Sequence, residues 1–211
     1  MDPVAPTPGL AIPEQEIFRW IAIDPGTDTL GVAVFELLLD GSPLLVEVVD
    51  AWTLKAGQGV RLDPAYQQLE QTHTGRFARL SWLHHRLREI LEEYQPHDLC
   101  SESPFMMRSK GHAFEALVEC MNTVKSVWYE YNHVQPLATV SPFEAKKAVG
   151  LKKMSSDKEA VVDCIRERTM EERPELTVEH RLLDTLDEHA TDAIAVGFAY
   201  YQTLKNEEYL G

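Results

Sequence analysis

The sequence predicts an α/β fold: a mixed five-stranded sheet, three antiparallel strands then two parallel ones, with helices on both faces. Three observations carry this expectation. Three apolar runs with turn signals between them follow one another over 17–24, 30–38 and 44–53. A helix-period segment from Thr74 to Tyr94 then separates them from a short strand at 98–103, and a second helix at 111–132 leads to another at 137–140. Strand, helix, strand within one sheet puts the fourth strand parallel to the first.

Each element has its own signal. Residues 1–16 carry Pro3, Pro6, Pro8 and Pro13 without periodicity and read as a flexible arm before a domain over 17–205, with 206–211 as a tail. In the first strand Phe18, Trp20, Ile21 and Ile23 end on Asp24; Pro25 and Gly26 turn the chain, and Leu30 to Phe35 begin the second. An acid closing an apolar strand is costly unless it meets a cation, a phosphate-bearing ligand or a backbone donor. Asp40-Gly41-Ser42-Pro43 reads as the next turn. Residues 55–72, with Gly57, Gly59 and Pro64, read as a long loop with room for a short helix.

Phe77, Leu80, Leu83, Leu87, Ile90, Leu91 and Tyr94 then repeat at helical spacing until Pro96. The segment 111–132 carries Phe114, Leu117, Met121, Val124, Trp128 and Tyr131 as one stripe, flanked by Ala113, Ala116, Cys120 and Val127. So broad an apolar face predicts burial on two sides. Ser141, Pro142 and Glu144 form a helix start with a capping box. Ser155 or Ser156 caps a helix to about Met170, and a last helix covers 185–205.

Composition narrows the function classes. With 211 residues the chain makes one domain with appendages. A formal charge of -14 argues against a generic nucleic-acid coat protein. It leaves a nuclease open, because phosphodiester cleavage needs clustered carboxylates and its basic contacts are local. Lys146, Lys147, Lys152, Lys153 and Lys158 lie within thirteen positions, by themselves an ordinary solvated helix face. Cys100, Cys120 and Cys164 are far apart and read as buried thiols in a reducing compartment, so the expected location is cytoplasmic. No apolar segment reaches membrane-spanning length, so no membrane partner is expected.

The predicted topology brings Asp24 and Glu102 to adjacent strand ends. Two adjacent carboxylates stay ionised only with a cation between them. The last helix adds Asp192, and His189 one turn before it on the same face. Three carboxylates and one imidazole suit Mg²⁺ or Mn²⁺ better than Zn²⁺. Two such ions, about 4 Å apart, activate water and stabilise the leaving oxygen of a phosphodiester. Each residue alone has a plainer role: Asp24 as a turn cap, Glu102 as a surface glutamate, His189 as a satisfied, partly buried histidine.

Four motifs in order resemble the RuvC-type Holliday junction resolvases of the RNase H-like superfamily. Ile23-Asp24-Pro25-Gly26 with Gly31 is similar to the family's opening, and Ser101-Glu102-Ser103-Pro104-Phe105-Met106 to its strand-end glutamate with a following aromatic. Ala145-Lys146-Lys147-Ala148-Val149-Gly150 and Ser155-Ser156-Asp157-Lys158 resemble its basic helix and lysine-bearing helix start. His189-Ala190-Thr191-Asp192 resembles its closing acidic helix, in the variant with His, as in the RuvC domains of CRISPR effector nucleases.

The resemblance implies an RNase H-like nuclease that nicks four-way DNA junctions symmetrically, leaving 5′-phosphate and 3′-hydroxyl ends. Asp24, Glu102, His189 and Asp192 would be metal ligands, for two ions, with His189 alternatively a general base. Lys158 would lie near the phosphate. Phe105 would wedge against bases, and Arg108, Lys110, Lys146, Lys147, Lys152 and Lys153 would contact DNA. The helix 111–132 would pair two copies into a homodimer, and the compact form resembles phage-encoded members. Nucleases of flaps, branched DNA or RNA–DNA hybrids, and a non-catalytic junction-binding module, are the alternatives. Asp24-Pro25-Gly26-Thr27 also resembles the first phosphate loop of the sugar kinase and actin group, but 211 residues leave no space for both lobes of that fold.

Overall fold

The computed structural model describes residues 17–39, 45–104, 111–151, 159–171 and 174–206. The arm at 1–16, the turn at 40–43, the caps Ser155 and Ser156 and the tail from 207 lie outside the described residues.

The strands are β1 (Ile17–Asp24), β2 (Thr29–Leu38), β3 (Val46–Lys55), β4 (Asp98–Glu102), β5 (Ala138–Val140) and β6 (Leu176–Val178). They form one sheet in the order β5-β4-β1-β2-β3-β6. β1, β2 and β3 are antiparallel neighbours, β4 runs parallel to β1, and β5 runs parallel to β4, as the sequence predicts. The sheet has six strands, which corrects the expected five. Leu176-Thr177-Val178 adds to the far edge, parallel to Val46–Val48. Leu176 and Val178 are buried, so the three residues are fixed by packing and pairing rather than by any readable period.

The central strands are apolar on both faces because both faces are covered. Trp20, Ala22, Ala33, Phe35 and Leu37 face one core, shared with helices α5 (Pro142–Ala148), α6 (Glu159–Thr169), α7 (His180–Leu183) and α8 (Glu188–Asn206). Ile21, Ile23, Val32 and Val34 face the other, shared with α1 (Ala56–Leu62), α3 (Gly75–Tyr94) and α4 (Gly111–Tyr131). α8 is buried almost all round from Ala190 to Tyr201, and the Trp20 indole donates to the Gly197 carbonyl at 3.2 Å. A central helix this apolar is held by the sheet beneath it, so its first two turns, which carry His189 and Asp192, are held with it.

The segment expected as a long loop with room for a short helix instead ends β3 at Lys55 and forms two helices: α1 and α2 (Pro64–Thr72). Asp63 caps α2 through Ala65 N, with Pro64 at the first helical position. The glycines that suggested a loop lie inside α1. Gly59 is there because its backbone touches Trp82, whose ring a Cβ would meet at 2.1 Å.

Of the predicted caps, the capping box at Ser141 is present. Thr74 accepts from Phe77 N at the start of α3, and Gln95 ends it in the left-handed region (φ 47°) just before Pro96. The Ser141–Glu144 capping box opens α5. In α4, Cys120, Met121, Val124, Val127 and Trp128 are spent on the core, while Glu115, Asn122, Lys125 and Ser126 are exposed. Among the described residues, no helix is long and apolar enough to cross a membrane.

Candidate active site

The apolar run of β1 carries Asp24 to the sheet edge, where it lies opposite Gly31 of β2. Parallel pairing of Ile23 with Ser101 makes Glu102 its neighbour on β4. α8 begins over the same spot, and Gly31 permits this: a Cβ there would lie 2.0 Å from the His189 carbonyl oxygen. Asp187 caps the helix, accepting from Ala190 N at 3.2 Å and from the Thr53 hydroxyl of β3. One strand pair and one helix end therefore bring Asp24, Glu102, His189 and Asp192 together, as the sequence predicts.

Their electrostatics record the crowding. Burial, with Asp24 and then Asp192 adding repulsion, pushes Glu102 up to about 8. Burial and the Asp24 charge push Asp192 up to about 6. Lys146 of α5 opposes the rise at both. His189 bonds Asp24 Oδ2 through Nδ1 at 2.9 Å, which raises its affinity for a proton, and Nε2 meets Thr29 Oγ1 at 2.7 Å. Asp24 is nearly enclosed, with 14% of its side chain exposed, whereas His189 keeps 31%.

Three hard carboxylates and an imidazole, with two carboxylates held above their ordinary range, are a donor set that a divalent cation would relieve. Among the described residues, no three His, Cys, Asp or Glu side chains are arranged to enclose an ion. Asp24 already spends one oxygen on His189. The chemistry of the set fits a cation; its number and positions do not follow from the side chains.

Of the predicted cations, Lys146 is brought to the carboxylates and Lys147 is not. Lys147 is exposed and lines a separate cavity of about 390 Å³ with Thr139, Glu144 and Arg168. Phe105, Arg108, Lys110, Lys152, Lys153 and Lys158 lie outside the described residues. Thr29 was missed in the sequence; its signal is a hydroxyl at the start of the strand that faces Asp24. A larger cavity, about 570 Å³, lies between β3 and α1–α3, lined by Trp52, Lys55, Tyr66, Trp82 and Arg86 and by none of the four site residues.

No family model matches the chain. A stretch of 120 residues is 25% identical to crossover junction endodeoxyribonuclease RuvC of Synechocystis sp., covering 56% of this chain and 60% of that relative. The chain thus matches less than two thirds of that relative's length.

Solved structures agree in fold. Thermus thermophilus RuvC superposes with a TM-score of 0.62 at 18% identity, over 90% of this chain and 97% of that one. The yeast mitochondrial Holliday junction resolvase Ydc2 superposes at 0.56 and 12%, over 90% and 81%. The Fowlpox virus resolvase, in complex with its substrate Holliday junction DNA, superposes at 0.53 and 13%, over 89% and 99%.

The fold is RNase H-like. Within that class, the chain is similar to Holliday junction resolvases of bacterial, mitochondrial and viral origin. A likeness spread over all three does not single out RuvC or a phage source.

Proposed function

We propose that the chain is a metal-dependent endonuclease that resolves four-way DNA junctions. The observation that carries this reading is the convergence of Asp24, Glu102, Asp192 and His189, with Lys146 beside them, on one sheet edge of an RNase H-like fold. Mg²⁺ or Mn²⁺, two ions in this reading, would supply an activated water and charge neutralisation at the phosphate. Asp24, Glu102 and Asp192 would hold the cations, and their mutual repulsion without them supports that role. His189 adds a nitrogen on the Asp24 side.

Lys146 supplies a positive charge where a phosphodiester would approach, which supports local DNA contact despite the net charge of -14. Hydrolysis as the resemblance implies it would leave 5′-phosphate and 3′-hydroxyl ends. Residues 17–205 make the nuclease unit. Two copies would pair through α4, whose partly buried Phe114, Leu117 and Val118 lie on the helix that also meets the exposed Phe77 region of α3. Pairing places two active sites for symmetric nicks.

The test compares wild type with Asp24→Asn on labelled four-way junction, flap, RNA–DNA hybrid and linear duplex, with and without Mg²⁺. Paired nicks on the junction, lost in the variant and without metal, are expected. Equal cutting of linear duplex would overturn the resolvase reading and keep the nuclease. Junction binding without cutting in either Mg²⁺ or Mn²⁺ would favour a binding module.

A further inference from the structure

His189 is held from both ends. Nδ1 lies 2.9 Å from Asp24 Oδ2, and Nε2 lies 2.7 Å from the hydroxyl of Thr29. Thr29 is half-buried and begins β2, where ladder pairing with Lys55 of β3 fixes its backbone. Its backbone is therefore placed by the sheet, and the hydroxyl reaches the imidazole from that fixed position. The close seat of α8 on Gly31 fixes the His189 backbone from the other side.

We propose that Thr29 is a positioning residue, whose hydroxyl commits Nδ1 of His189, and not Nε2, to Asp24 and the cation site; this rests on the metal-dependent reading above. The hydroxyl suits the task because it both donates and accepts. With His189 neutral and Nδ1–H donating to the Asp24 carboxylate, Nε2 carries a lone pair and Thr29 donates to it. With the ring protonated, both nitrogens donate and Thr29 accepts. Were Nδ1 to hold a divalent cation, that nitrogen would carry no hydrogen, the neutral ring would keep one on Nε2, and Thr29 would again accept.

One side chain thus supports the ring in every state that this site requires. A valine of the same shape supports none of them. It leaves a partly buried Nε2 with the Glu188 carboxylate alone, 3.8 Å away, and lets the ring turn, so that either nitrogen can face Asp24.

The test uses full-length protein labelled with ¹⁵N-histidine, together with Thr29→Val and Thr29→Ser. Long-range proton–nitrogen spectra read the protonation of each His189 nitrogen, and titration with Mn²⁺ reads affinity. In wild type, Mg²⁺ should leave His189 protonated at Nε2 alone. Thr29→Val should weaken Mn²⁺ binding by about 10–100-fold, the range for losing an outer partner of a metal-binding histidine, and mix the tautomers. Thr29→Ser should restore most of both.

Unchanged Mn²⁺ affinity and an unmixed ring in a folded Thr29→Val would overturn the proposal. If that variant does not fold, wild type decides: a Mg²⁺-loaded ring protonated at Nδ1 overturns it, and one protonated at Nε2 supports it. Loss of junction cutting does not bear on the role of Thr29. A protein that shows the Thr29 effect on Mn²⁺ but cuts no DNA supports that role and counts against the nuclease reading alone.

Discussion

Replacing Glu102 with glutamine should stabilise the protein when divalent metal is removed. Burial and the charges of Asp24 and Asp192 raise this carboxyl from its ordinary 4.5 to about 8. At pH 7 the unfolded chain has released the proton that the native state still holds. Holding it that far above 4.5 costs about 3 kcal/mol, at roughly 1.4 kcal/mol per pH unit.

The sign follows from proton binding. The native state binds more protons between 4.5 and about 8, so stability falls as pH rises through that window. Below it the penalty is absent, and above it the penalty is complete. Glu102→Gln keeps the shape and removes the charge, so it should gain about 3 kcal/mol at pH 7. For a domain of this size that is about 6–12 °C in melting temperature.

The assay is thermal and urea unfolding of both proteins in EDTA from pH 4.5 to 9. The curves should meet near pH 4.5 and separate as pH rises. Mg²⁺ should close the gap by stabilising wild type more than the variant. An offset that does not vary with pH, or a variant less stable than wild type at pH 8, would show that Glu102 is not held against its own charge.

Gly31→Ala should lose about 1–3 kcal/mol by overpacking the contact with the His189 carbonyl, and weaken Mn²⁺ binding with it; urea unfolding and a Mn²⁺ titration check both, and wild-type values in each would count against the close seat of α8. Lys146→Ala should weaken junction binding and lower the salt slope of log K by about 1, as measured by fluorescence anisotropy across salt concentrations. His189→Ala should destabilise the metal-free protein more at pH 6 than at pH 9. The Asp24 bond raises the histidine's affinity for a proton, so its contribution is full below about 6.5 and is lost as pH rises through the raised value; equal losses at both pH values, seen by thermal melting in EDTA, would contradict that bond.

The elements that could be read from the sequence are those whose burial imposes a period or whose ends carry caps. β1 and β2 read as strands because both faces of their runs are covered. α3 read from its stripe and its stop at Pro96, and α5 from the Ser141 capping box. β6 could not be read, since Leu176-Thr177-Val178 is too short to show alternation and its pairing with Val46–Val48 is more than a hundred residues away in sequence.

Gly57 and Gly59 misled for a different reason: Gly59 answers to the Trp82 ring, a tertiary contact that outweighs helix propensity. At the site, parallel pairing of β1 with β4 was enough to bring Asp24 to Glu102. Lys146 and Lys147 are adjacent, so only the seating of α5 separates the one near the carboxylates from the one facing Glu144. Thr29 was hidden because its partner, His189, lies 160 positions further along the chain.

Both margins of the sheet are three-residue strands, β5 on one side and β6 on the other. An extended peptide that sought to pair with β5 or β6 would find at most a few backbone groups on either strand. β3 runs on past β6 from Val49 to Lys55, so the longer stretch of edge on that side belongs to β3. Variants that lengthen β6 would cover more of β3, and their solubility would report on that edge without any reference to catalysis.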